Sequence, residues 1–430
     1  VGFALGWIAW LASISIAPIE TMAMIQYASN YLPGIMHKVN GTPIMSNLGI
    51  LTAAGILFIM CLLNKIGVKF ISKTNIGIVL FKLGVPIFTL IVLFSADFHA
   101  SNLQQFGLHT TDWKGILSAL PTAGIIFSFI GFSPAIQLAG ESKNPNRAIP
   151  LAIIGSLCLC IVLYVLLQIA FIGALNPRDL VNGWQHLSFA GDAGPFAGIA
   201  LGLGFIGFMY ILYADAAVSP LGTGFIYTTS TARINYAMSK NNYMPPAFLK
   251  LNKKGVPMNA IWTNYVAGLL LFLPFPAWQS MMSFLVSAFV FIYAVGPIAL
   301  LSLRKSNPDM IRPFRLPYAK VMTIIAFYIC NLIIYWTGWS IMYKVMIAIL
   351  IGFVYLRLYK FTPTGKSLKI DWRQGIWIIP YFIGMAIISF YGDFGNGENR
   401  IPFGLDFLII ALFSIVIFVW ALKSSKKELL

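Results

Sequence analysis

Three ionisable side chains stand inside long apolar stretches: Glu20, Lys82 and Asp215. A charge at such depth costs several kcal/mol unless it is paired or wetted, so each is a functional candidate by default. Lys82 is the sharpest of the three. It lies seven residues into Asn75-Ile-Gly-Ile-Val-Leu-Phe-Lys82-Leu-Gly84-Val-Pro86, too deep to extend its ammonium easily to water at either end. Such a lysine must find an acceptor, give up its proton or line a cavity. Each outcome suits a group that couples to proton movement or stands where a cation would. Pairing with Glu20 or Asp215 is the structural alternative. Glu20 follows Ala17-Pro18-Ile19, where the proline frees nearby backbone carbonyls. Both a place on a substrate pathway and a carboxylate reaching interfacial water remain open for it. Asp215 opens Asp215-Ala-Ala-Val-Ser219-Pro220-Leu-Gly222-Thr223-Gly224. Here small residues suit a close helix contact, while the Ser219 and Thr223 hydroxyls suit a cation or substrate.

A different chemistry is written in Gly124-Ile-Ile-Phe127-Ser128-Phe129-Ile130-Gly131-Phe132-Ser133-Pro134. Gly131 and Pro134 weaken a helix midway, and Pro134 leaves the Ile130 carbonyl without its usual donor. Unwound backbone inside a membrane is tolerated only where protein buries it or it lines a cavity. Broken helices of this kind bind substrate in transporters; a simple proline kink is the alternative.

The elements that must position these groups are membrane helices. The 430 residues are 59% hydrophobic and only 10% charged, with a mean hydropathy of +0.82. That is too little polar surface for a water-soluble body. Twelve apolar segments are long enough to cross a bilayer: about 2–31, 47–64, 75–96, 115–138, 149–174, 196–220, 257–275, 280–303, 320–338, 341–359, 374–392 and 404–422. The seventh and eighth read as the tightest hairpin, through Pro274 to Gln279. With Val1 on the cytoplasmic side, 23 of the 29 basic residues fall on cytoplasmic connections and 5 on outer ones, leaving only Lys82 within a span. This is the positive-inside asymmetry, and it predicts a cytoplasmic C-terminus. Trp113, Trp184, Trp278, Trp336, Trp339 and Trp372 fall near the segment ends, as an interfacial belt does.

The net charge of +16 is thus spent on topology, and nucleic acid is not an expected partner. Cys61, Cys158, Cys160 and Cys330 all sit in apolar runs, which argues against a disulfide framework. His37, His99, His109 and His186 are scattered through polar connections. No metal site, cofactor or catalytic centre is indicated. A membrane-embedded enzyme is the weakest of the function classes, and pore motifs of a channel are not evident.

The stretch from Gly131-Phe-Ser-Pro-Ala-Ile-Gln-Leu-Ala-Gly140-Glu141-Ser-Lys143-Asn144-Pro145-Asn-Arg147-Ala-Ile149-Pro150 resembles the signature of amino acid–polyamine–organocation (APC) permeases. Gly140 departs from the acidic residue usual there. Gly6-Trp7-Ile-Ala-Trp10 is similar to the start of that family's third helix, and Asn75 to Lys82 to its fifth. Ser230-Thr-Ala-Arg233 through Met238 to Pro245 resembles the stretch after its eighth. The number of spans and the Asn396–Phe403 segment look most like 14-helix aspartate:proton symporter-type members.

The resemblance implies an all-α polytopic membrane protein of the LeuT-type 5+5 inverted-repeat transporter fold. Helices 1 and 2 would be missing, and four additional C-terminal helices present. The chain, starting at Val1 inside an apolar run, then reads as lacking about 70–80 residues that span two helices. It further implies that Phe127, Ser128, Phe129, Ile130 and Gly131 face the amino group of the substrate, with Phe127 as an aromatic gate. Lys82 would occupy the place of a sodium ion in sodium-coupled relatives, beside Asp215, Ser219 and Thr223. The function implied is secondary transport of amino acids, with proton symport and acidic substrates as the finer expectation and an exchanger as the alternative. The partners are then an amino acid, protons and the lipid bilayer of a bacterial plasma (inner) membrane.

Overall fold

The computed structural model describes the chain except residues 40–41, 66–67, 96–97, 105–112, 138–141, 143, 182, 185–186, 188–193, 313–314, 362–371 and 425–430, and gives backbone alone for 68–76, 134, 137 and 372–373. Gly140, Glu141 and Lys143 of the motif, and His109 and His186, lie outside the described residues.

The chain opens with α1 (Gly2–Ile14) and α2 (Ile16–Ala28), which meet at a slight irregularity at Ser15. An antiparallel hairpin follows, β1 (Met36–Val39) against β2 (Thr42–Met45), with Met36 opposite Met45. The connection after the first segment thus carries a small sheet in a chain that is otherwise predominantly helical. Ser46 then caps α3 (Asn47–Asn64), its hydroxyl accepting from Gly49 N at 3.0 Å, which satisfies one of the donors a helix start leaves open. The next helices are α4 (Val68–Ser95), α5 (Trp113–Thr122), α6 (Ser133–Gln137), α7 (Pro145–Ala174), α8 (Pro195–Gly202) and α9 (Ile206–Lys240). The remainder is helical too: α10 (Met258–Leu271), α11 (Trp278–Ser306), α12 (Ala319–Trp336), α13 (Trp339–Tyr359), α14 (Trp372–Gly375), α15 (Ile378–Tyr391) and α16 (Leu405–Ser424).

Among the described residues, eight helical stretches are long and apolar enough to cross a membrane. The other expected segments differ for local reasons. The segment expected at 196–220 is divided: α8 ends at Gly202, Gly204 turns the chain with φ of +79°, and α9 then continues to Lys240. Its second half is rich in Ser, Thr and Asn, so hydropathy ends the segment early. The helix continues because Thr228 and Thr229 donate to the carbonyls four residues back and α2, α3 and α10 cover it. The segment at 374–392 divides into α14 and α15. The tightest hairpin joins α12 to α13 through Thr337-Gly338, where Gly338 has φ of +79°, rather than lying at Pro274–Gln279.

The bundle is organised around α11 and α9. α11 is 61% buried over its most apolar stretch, against 6% for α7, so α11 is a core helix and α7 a peripheral one. α11 packs on α12, α1 and α13, whereas α9 packs on α2, α1, α10 and α4. The apolar faces of α4, α7, α13 and α16 point outward, the disposition expected where lipid rather than water surrounds the helices. Buried amides join helices inside. Asn331 Nδ2 donates to Ser414 Oγ at 2.8 Å and Tyr381 OH to Asn331 Oδ1 at 2.7 Å, which ties α12, α15 and α16.

Candidate functional site

Asp215, Ser219 and Thr223 are spaced by four and so form one row along α9. The row is hydrogen-bonded along its length: Ser219 Oγ donates to Asp215 Oδ1, and Thr223 Oγ1 donates to the Ser219 carbonyl at 3.2 Å. Lys82, in the middle of α4, donates from Nζ to Thr223 Oγ1 at 2.6 Å. That contact needs α4 close to α9, and Gly222 permits it. A Cβ on Gly222 would lie 2.7 Å from Ile78 Cγ2. The Lys82 ammonium also interacts electrostatically with Glu20 on α2 and with Asp215. All five of these residues are half-buried. Asp215 and Ser219 line a partly open cavity of about 280 Å³, bordered also by Tyr27, Tyr213 and the start of α8.

The fourth segment is broken, as its glycine and proline positions suggest. α5 contains Pro121 and ends at Thr122; Gly124 adopts φ of +89°, a conformation that an L side chain rarely takes. A 3₁₀ turn covers Phe127–Phe132, and α6 starts at Ser133. Pro134 cannot donate to the Ile130 carbonyl, and Tyr293 of α11 substitutes for it, donating to Ile130 O at 3.3 Å. Tyr293 OH is also 2.7 Å from Ser133 Oγ, and its ring stacks on Phe132 at 4.8 Å. From α7, Tyr164 OH reaches the Ser128 carbonyl at 3.4 Å and packs its ring on Phe129. The Phe127 ring meets Trp278, the first residue of α11, edge-on at 6.1 Å. Ser128 and Gly131 are exposed, whereas Ile130 is buried.

The candidate residues therefore form two groups. Glu20, Lys82, Asp215, Ser219 and Thr223 meet where α2, α4 and α9 pack together. Phe127–Gly131 form the second group, held by α7 and α11. Tyr227 and Tyr293 stand between them: Tyr227, four residues beyond Thr223 on α9, lies near both Glu20 and Tyr293. Sequence reasoning missed Tyr227, Tyr293, Tyr164 and Trp278 as parts of the site. The spacing of four from Asp215 through Thr223 was signal enough for Tyr227. A tyrosine hydroxyl inside an apolar run, the only signal for Tyr164 and Tyr293, does not say which carbonyl it meets.

Comparison with known proteins completes the picture. The family model for amino acid permeases matches residues 1–337. The chain is 38% identical to the glutamate/serine transporter AimA of Bacillus subtilis (strain 168), over 99% of this chain and 79% of that protein. It is 33% identical to the aspartate-proton symporter of the same organism, over 98% of this chain and 81% of that protein. The gamma-aminobutyric acid permease of that organism is 28% identical over 77% of this chain and 70% of its own length. The apolar helices, the broken segment and these matches agree, and the chain belongs to the amino acid permease family.

Proposed function

We propose that this amino acid transporter is a proton-coupled symporter of acidic amino acids in the bacterial plasma membrane, with its C-terminus cytoplasmic and Lys82 as the coupling group. Family membership makes the chain a multi-pass membrane transporter and not an enzyme. The finer reading rests above all on one contact, the Lys82 ammonium donating to Thr223 Oγ1 at 2.6 Å between α4 and α9. A protonated Lys82 supplies a cation at a place ringed by a hydroxyl and two carboxylates, and a neutral Lys82 withdraws it. The two states thus hold α4 and α9 together with different strength. In the LeuT-type arrangement that we infer, the substrate amino group lies against the carbonyls of Phe127–Gly131. Phe127 and Trp278 form the aromatic cover. Asp215 and the cavity beside it, with Glu20 deeper in, lie on the path toward that site. The acidic substrate class is supported by the relatives named for glutamate/serine and aspartate.

Lys82→Ala in the full-length protein, reconstituted in proteoliposomes, tests the coupling. Proton-driven accumulation of labelled aspartate should vanish while counterflow of the same substrate persists. Accumulation that survives the substitution and still collapses with a protonophore would overturn the role of Lys82. Competition by a panel of amino acids tests the substrate class, and preference for a neutral or basic amino acid would refute it.

A further inference from the structure

The row on α9 does not stop at the coupling site. Asp215, Ser219, Thr223, Tyr227, Thr231 and Asn235 are each four residues apart, so one polar stripe descends the helix. Below Glu20 this stripe meets a small cavity of about 20 Å³ between α1, α2, α3, α9 and α10. A water needs about 10–15 Å³, so the space suits a single one. Three of the residues that line it carry hydroxyls, Ser13 Oγ, Tyr227 OH and Thr231 Oγ1, that are buried and have no hydrogen-bond partner. The three residues are 1%, 4% and 2% exposed. Buried polar atoms are almost always satisfied by protein or by ordered water, and three orphans around one cavity call for a shared partner. No lining residue is charged, so that partner is neutral.

We propose that Ser13, Tyr227 and Thr231 bind one buried water, and that this water carries the coupling proton from Glu20 toward the cytoplasmic half of the protein. The upper link is Tyr227, which lies near Glu20. Ala17 of the cavity wall also lies one turn before Glu20 on α2. The lower link is the Thr231 hydroxyl, and a cluster of amides beside it holds that turn of α9 in place. Trp10 Nε1 donates to Asn264 Oδ1 at 2.9 Å. With its amide turned to satisfy both neighbours, Asn235 donates to Asn264 Oδ1 at 3.1 Å and to the Thr231 carbonyl at 2.8 Å. Next along α9, Met238 packs with Phe3, Trp7 and Met244 in a buried apolar cluster. The water path is therefore sealed on that side in this conformation. When the seal opens, one concerted shift moves a proton from the Glu20–Tyr227 side to the water, one from the water to Thr231 Oγ1, and the Thr231 hydroxyl proton to entering cytoplasmic water, so no net charge accumulates at the site. The site itself rests on geometry alone; its transport role rests on the proton-coupled reading.

The test has two arms in the full-length protein. In a high-resolution density map, a single water should appear within hydrogen-bond distance of all three oxygens. An empty cavity, or a sodium-dependent peak at metal–oxygen distances, overturns the site. In proteoliposomes, Ser13→Ala/Thr231→Val should lower proton-driven accumulation about tenfold and leave counterflow unchanged, and Thr231→Ser should retain most of the wild-type rate. Accumulation unchanged in the double variant, or counterflow lost to the same extent, overturns the relay. Thermal unfolding separates misfolding from a dry cavity. Removing an unpaired hydroxyl from a dry site leaves Tm unchanged or raises it, whereas robbing a bound water of a partner lowers it. If the wild type moves no protons at all, the proton-coupled reading and the relay both fall, and the map alone decides the site.

Discussion

α9 and the segment from Trp113 to Gln137 both carry prolines and small residues at depth, yet they offer opposite kinds of polar group. In α9 the helix runs through Pro220 without interruption. Its polar groups are side chains, aligned by spacing and braced by hydroxyls that donate one turn back. Between α5 and α6 the helix gives way, and the polar groups are backbone carbonyls reached by tyrosines from α7 and α11. One proline removes one hydrogen bond, which full turns on either side can absorb. Pro121 and Pro134, with Gly124 at positive φ between them, interrupt the helical ladder more than once, and the stretch between them folds as a 3₁₀ turn instead. The candidate site thus pairs a rigid rail of side chains with a short stretch of exposed backbone.

The rail gives the larger expected effect. Thr223→Val deletes the acceptor of a charged donor, a loss of about 1.5–3 kcal/mol. That corresponds to roughly tenfold or more in uptake. Thr223→Ser, which keeps the hydroxyl, should stay near wild type. Full uptake in the valine variant would reduce the row to packing.

For the backbone stretch, the two prolines can be set against each other. Pro134→Ala restores an N–H able to bond the Ile130 carbonyl, which favours helix where the site needs none, so the KM for uptake should rise several-fold. Pro220→Ala adds an N–H to a helix already continuous and should change KM less than twofold. Equal effects would erase the distinction between the two regions. A double-mutant cycle refines it. Tyr293→Phe alone removes the Ile130 donor at a cost of about 1 kcal/mol, but in the Pro134→Ala background the restored N–H replaces it, so the two losses should not add.

The legibility of the two regions differs in the same way. The helices were readable because hydrophobic run length and the placement of basic residues report directly on a bilayer. Lys82 and Asp215 were readable because desolvation makes a charge conspicuous. The break was readable down to the Ile130 carbonyl, since proline chemistry is local. Three features were not. The far half of α9 was hidden because Ser, Thr and Asn lower hydropathy while helix neighbours satisfy them. The β1–β2 hairpin lies in a connection with no apolar alternation to announce it. The partners Tyr164 and Tyr293 are fixed by packing across more than thirty residues of chain, which no local pattern records.

The smallest expected effect comes from the surface anchor of the broken segment. Lys114, in the first turn of α5, pairs with Asp393 beyond α15, and its ammonium lies 5.8 Å from the Phe403 ring centre. The lysine side chain is 48% exposed, so solvent screens the pair and its loss should cost less than about 1 kcal/mol. Lys114→Ala should lower Tm by a degree or two and leave KM unchanged, with the difference shrinking as salt is raised. The variant matters because it asks what holds the unwound backbone in place. If Lys114→Ala raised KM as much as Pro134→Ala, the geometry of Phe127–Gly131 would be set by a tether at the membrane surface. A silent KM places that control within the segment, in Gly124, Pro134 and the two tyrosines that take up the freed carbonyls.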